Sequence, residues 1–293
     1  MAEPIRPRSP AGCVIWLWIA ALLLAGCGAG TDSADSLQAP VAVDPMTLRR
    51  GNGPEPDTLD PQRARTDSAL NILRDLFEGL TAVGADGEPT AAAAESWTIS
   101  EDGLEYVFRL RPGLSWSNGD GLTATDFVAG MQRLVDPGTA SQYAQIFGPV
   151  LNADAIIRGN LPSGELGVSA ADERTVVIRL AHPAPYVLGL LAHPSTFPVH
   201  RASLEQFGAE YARPGRLVSN GAFVLTDWVV GSHVAARRNE QYWDNAQTRL
   251  ERVHYLHQAD AATEFRQYRA GQLDISYVVP PQQFRWIKEN LAD

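Results

Sequence analysis

Histidine, cysteine and paired carboxylates are the residues that could do chemistry here, as metal ligands, nucleophiles or acid/base pairs. The chain has six histidines, and none sits in a His-Glu-x-x-His pattern. His254 and His257 are nearest each other, but Val253 to Leu256 is strand-like, and odd spacing on a strand sends side chains to opposite faces. A shared metal is not expected. The pairs Glu101-Asp102 and Asp57/Asp60 fall in turn-like sequence, where solvated carboxylates are the default. No Gly-x-Ser-x-Gly elbow occurs, and both cysteines, Cys13 and Cys27, lie near the amino terminus. We therefore expect no catalytic residue, no metal and no cofactor, and read the chain as a non-enzyme. Trp97, Trp116, Trp228 and Trp243 stand beside strand or turn signals and are read as packing.

Composition narrows the classes further. With 293 residues, 45% hydrophobic and 20% charged, the chain can bury a proper core. Its formal charge of -10 repels phosphate backbones, so no nucleic-acid partner is expected. Lys288 is the sole lysine, and no Gly-rich loop ends in the Lys-Ser/Thr pair that cradles nucleotide phosphates, so the chain is not an ATPase.

Elements that must position any site follow from periodicity. Tyr106, Phe108 and Leu110 alternate with Val107, Arg109 and Arg111 as in a half-buried strand. Thr123-Ala124-Thr125-Asp126 has capping-box spacing before a helix bearing Phe127, Val128, Met131 and Leu134. Leu70, Leu73, Leu76 and Phe77 form a second helical stripe, stopped by Gly79. Phe223 to Val229 and Val234 to Arg237 read as a hairpin turning at Gly231-Ser232. The alternation of strands and helices argues for a mixed α/β or α+β body with more than one sheet.

At Arg6, Arg8 and the apolar run Val14 to Ala25, the amino terminus reads as a secretory leader. Leu24-Ala25-Gly26-Cys27 resembles the lipobox of bacterial lipoproteins, which implies acyl chains on Cys27. Residues 28 to 44 read as a flexible tether.

The block Ala94-Glu95-Ser96-Trp97, Tyr106 to Gly113, Trp116-Ser117-Asn118-Gly119 and Thr123 to Val128 carries a family resemblance. It extends through Leu59-Asp60-Pro61, Arg74 to Leu80, Val135-Asp136-Pro137, His193 to Thr196, Ser219 to Phe223, Asp227 to Val230 and Tyr242-Trp243. In these motifs the chain resembles the oligopeptide-binding group of the extracytoplasmic solute-binding proteins, family 5, of ABC peptide transporters. Asn118 stands where that family has Asp, a change a turn tolerates.

The resemblance implies a type II periplasmic-binding-protein-like fold: first lobe plus inserted small domain, second lobe missing. Its boundaries are a lipoprotein signal peptide over 1–26, a tether over 27–46, first-lobe segments over 47–77 and 201–293, and the inserted domain over 78–200. It implies ligand contacts at Tyr143, His193, Asp67 and Arg65, the last two in a loop before the Asn71 helix. Arg65 stands where relatives often carry an acid. Ser219, Asn220 and Gly221 are expected as a turn at the cleft edge. The implied partners are short peptides, the permease subunits of an importer and the membrane through the lipid on Cys27. The protein is expected to be a monomer on the extracytoplasmic face. Two alternatives stay open: a binding lobe serving as an envelope sensor or interaction protein, and a carrier of dipeptides or another small solute.

Overall fold

The computed structural model describes residues 44–290. The leader, Cys27 and the tether through residue 43 lie outside the described residues.

Strand β1 (Thr47–Gly51) opens the body, and α1 (Asp67–Leu76) follows the Asp57 to Pro61 turn. The Thr66 hydroxyl caps α1 by accepting from the Ala69 N–H, which satisfies one of the helix's free amide donors. Leu70, Ile72, Leu73 and Leu76 bury one face of α1, while Asp67, Asn71, Arg74, Asp75 and, just past its end, Glu78 line the other. A small hairpin, β2 (Thr81–Val83) with β3 (Pro89–Ala91), leads into β4 (Ala94–Ile99) and β5 (Glu105–Leu110). In β5 the buried positions are Tyr106, Phe108 and Leu110, the alternation expected of them.

Next comes α2 (Ala124–Val135), whose capping box is present: the Asp126 carboxylate accepts from the Thr123 N–H at 2.9 Å. The chain continues through α3 (Ala153–Ile157), β6 (Val168–Asp172), β7 (Thr175–Arg179), α4 (Val187–Leu190) and α5 (Arg201–Phe207). It closes with β8 (Phe223–Val229), β9 (His233–Arg238), β10 (Arg252–Leu256), α6 (Ala261–Arg269) and α7 (Phe284–Asn290). The β8–β9 hairpin turns at Gly231, at φ 75°, where glycine carries no steric penalty.

Two four-stranded sheets result. One is mixed, in the order β1-β10-β9-β8, with β1 parallel to β10; the other is antiparallel, in the order β4-β5-β7-β6. A continuous apolar core joins them, running from Tyr106, Phe108 and Ile178 through the buried face of α1 to Leu225, Val253 and Tyr255. The expected mixed α/β body with more than one sheet is the fold observed. No helix among the described residues is long and apolar enough to cross a membrane.

One polar network ties the layers. Arg133 of α2 holds Asp60 through two N–H···O bonds of 2.6 Å and donates to Gln62 Oε1 at 2.8 Å. Gln62 Nε2 in turn donates to the carbonyls of Ser195 and Phe197. Gln62 is fully buried, so every bond it makes offsets a desolvation cost.

Candidate functional site

The polar face of α1 is the floor on which the expected residues converge. Asp67 is the first residue of the helix, not part of the loop before it, so its carboxylate stands at the positive end of the helix dipole. Arg65 remains in the loop and pairs with Asp57, Nε to Oδ2 at 3.0 Å. The Tyr143 hydroxyl reaches the Arg65 carbonyl at 3.4 Å, and the Tyr143 ring lies 4.5 Å from that of His193. Tyr143 and His193 therefore meet close to the Arg65 backbone and the start of α1, while the Arg65 side chain turns away to Asp57.

His193 is held neutral. Burial, and then the Arg74 guanidinium, press its pKa down to about 4. Its Nδ1 accepts from the Ser195 N–H at 3.2 Å, which leaves the ring proton on Nε2. The same Nδ1 faces the Ser195 hydroxyl at 2.8 Å, so the ring orientation is set from behind.

Ser219 and Asn220 require a correction, whereas Gly221 borders the cavity at the far end of α1. Ser219 is 1% and Asn220 4% exposed, and their side chains are spent inside the protein. The Asn220 amide accepts from the Glu78 N–H at 3.2 Å and donates to the Glu78 carbonyl at 2.9 Å. Gly221 donates its N–H to the Leu76 carbonyl, and a Cβ there would stand 2.5 Å from the Leu76 carbonyl carbon. Turn propensity reads the same for an exposed rim and an interior tie, and here the tie won.

Residues not anticipated complete the face. Arg74, one turn beyond Asn71, is held below its ordinary pKa by burial, and its charge opposes protonation of His193. Tyr277, from the segment after α6, sets its ring on Gly53 and has its pKa raised by burial and by Asp67. Helical spacing from Asp67 already places Arg74 on this face, whereas no local pattern points to Tyr277.

A cavity of about 250 Å³ adjoins the far end of α1, lined by Arg74, Asp75, Glu78, Thr81, Gly221 and Tyr242 among others. Burial raises the pKa of Glu78, whose oxygens accept from the Tyr242 hydroxyl at 2.5 Å and Trp243 Nε1 at 2.7 Å. Trp243 also carries the Arg111 guanidinium over its ring at 3.7 Å. Elsewhere, Ser203, His200 and Asp120 make a hydrogen-bonded row, but Ser203 is 5% exposed and His200 Nδ1 accepts from the Ser203 N–H, so the row caps α5. His254 packs against His233 rather than His257, and no group of three or more potential metal ligands occurs among the described residues.

Comparison with known proteins places this geometry. The profile of the bacterial extracellular solute-binding proteins, family 5 Middle, matches residues 88–292. The chain belongs to this family. It is 40% identical over 280 residues to the periplasmic oligopeptide-binding protein OppA of Escherichia coli, covering 94% of this chain and 51% of that one. Its fold is that of the periplasmic binding proteins. The murein tripeptide binding protein MppA of Escherichia coli superposes with a TM-score of 0.81 at 37% identity, over 84% of this chain and 48% of that one. OppA of Haemophilus influenzae in complex with the peptide RPPGFSPFR gives 0.81 at 34% identity, over 85% and 49%. The chain spans about half the length of the relatives it matches.

Proposed function

We propose that this family 5 chain contributes to the capture of short peptides outside the cytoplasm for an ABC importer, without chemical conversion of the ligand. The observation that carries the reading is the meeting of Tyr143 and His193 near the start of α1, in a chain 40% identical to an oligopeptide-binding protein. A neutral His193 and the Tyr143 ring offer hydrogen bonds and an aromatic surface, and Asp67 at the start of α1 and Arg74 further along it offer one charge of each sign. Such a face grips peptide backbone in general and leaves side chains to hydrated space, which suits varied sequences. Residues 47–77 and 201–293 would form the first lobe and 78–200 a domain inserted in it, with short peptides and permease subunits as partners of a monomer.

Calorimetry of the 293-residue chain with tri- to pentapeptides tests this reading. We expect binding that weakens on Tyr143→Ala and His193→Ala, with no turnover of the peptide. Absence of any peptide binding at millimolar concentration, or cleavage of the peptide, would overturn it. Lipid attachment at Cys27 is part of the proposal; mass spectrometry of the mature amino terminus is expected to find diacylglycerol on that residue, and an unmodified terminus elsewhere refutes the anchor.

A further inference from the structure

Glu264 lies on α6, is 1% exposed, and has no cation within ion-pair distance among the described residues. A buried carboxylate without a counter-charge is costly unless its lone pairs are filled. Here they accept from the Tyr277 N–H at 2.5 Å, the Ser276 hydroxyl at 2.9 Å and the Gly53 N–H at 3.3 Å.

Packing around the carboxylate leaves no slack. A Cβ on Gly51 would collide with the Glu264 carboxyl, and one on Gly53, at φ 64°, would stand 2.7 Å from the Tyr277 ring. Glu264, the Gly51–Gly53 bend and the Tyr277 ring thus form a stack built on glycine. The stack is held laterally where β1 meets the 274–275 segment, by Gly51 N–H to the Ile275 carbonyl at 2.8 Å and by the Arg49–Asp274 pair at 2.7 Å. Its far end is the Tyr277 ring on Gly53, beside Asn52, whose side chain donates to the Ser68 carbonyl of α1 at 2.9 Å and accepts from Asn71 at 3.4 Å, so the stack abuts the start of that helix.

We propose that Glu264 is a positioning residue for the ligand face: acting through Tyr277, it fixes where that ring stands at the start of α1, and so how the floor meets a peptide. The inference rests on the peptide-binding reading above. Glu264 touches no ligand. Its two oxygens gather donors from two chain segments just beyond the point where β1 and the 274–275 segment are bonded to each other, and an acceptor pair of this shape is what a glutamate provides.

Three variants and two readouts test it on the 293-residue chain. Glu264→Met keeps length and removes the acceptors; the Tyr277 amide is expected to exchange its hydrogen at least about tenfold faster, and tripeptide affinity to fall about tenfold. Glu264→Gln keeps an acceptor for Tyr277 and is expected within about threefold of the parent affinity. In a Tyr277→Ala background, Glu264→Met is expected to cost little more affinity, because contacts acting through one residue do not add.

Unchanged affinity in Glu264→Met, or additive losses in the double variant, would overturn the proposal. If Glu264→Met does not fold, Glu264→Gln decides: a loss as large as that of Tyr277→Ala would overturn it. If the parent chain binds no peptide, the functional reading fails; the exchange measurement still judges Glu264, and unaltered Tyr277 protection in Glu264→Met rejects it.

Discussion

Tyr143 and His193 pack with ring centroids 4.5 Å apart, so two loops distant in sequence present one aromatic ledge above α1. Their alignment depends on groups that never reach the ledge. Ser195 fixes the His193 ring, and Gln62 holds the Ser195 carbonyl.

His193 is expected to titrate near pH 4, against an ordinary value of 6.5, because burial and Arg74 oppose its charge. The unfolded chain then binds one more proton than the folded one between those values, so stability is lost as pH falls from about 6.5 toward about 4. Above 6.5 the contribution is fully present. Histidine ring resonances followed by NMR give the midpoint directly, and His193→Gln is expected to flatten the slope of stability with pH in that window.

Arg133→Met is expected to destabilise the protein by about 3 kcal/mol, because it strands the nearly buried Asp60 carboxylate and frees Gln62. Urea unfolding measures the loss. Replacing both partners, Arg133→Met with Asp60→Leu, is expected to recover part of it, since no orphaned charge remains.

Gly221→Ala is expected to cost about 2 kcal/mol or more, as its Cβ would press on the Leu76 carbonyl carbon at 2.5 Å. The backbone there cannot retreat, being bonded from the Gly221 N–H to the Leu76 carbonyl. A thermal midpoint within a degree of the parent's would contradict this.

Arg65→Gln removes the cation paired with Asp57 in the loop before α1 and leaves that carboxylate uncompensated. Under the proposed function, affinity for lysine-containing tripeptides is expected to rise several-fold relative to glutamate-containing ones. Competition calorimetry at low and high salt checks it, since the effect should shrink as salt screens the charge.

Elements governed by local pattern were legible in the sequence: the β5 alternation, the Thr123–Asp126 capping box and the hairpin at Gly231 all rest on neighbours a few residues apart. Site residues were legible only in part. Tyr143 and His193 were anticipated through resemblance, and the structure brings them together. Asp67 was assigned to a loop because a first-turn acid and a loop acid look alike before the cap at Thr66 is seen. Glu264 and Tyr277 were missed for a stronger reason. Their meeting depends on α6 folding back over the end of β1, which no periodicity encodes.

The amide of Asn220 closes on the backbone of Glu78 from both sides, so the chain passes the end of α1 and comes back to the same spot just before β8. Everything between those two residues is, in effect, a loop with touching ends. A stretch exchanged for this one would meet the frame at a single point, yet it would still have to supply partners for the buried Asp60 and Gln62, as Arg133, Ser195 and Phe197 do here.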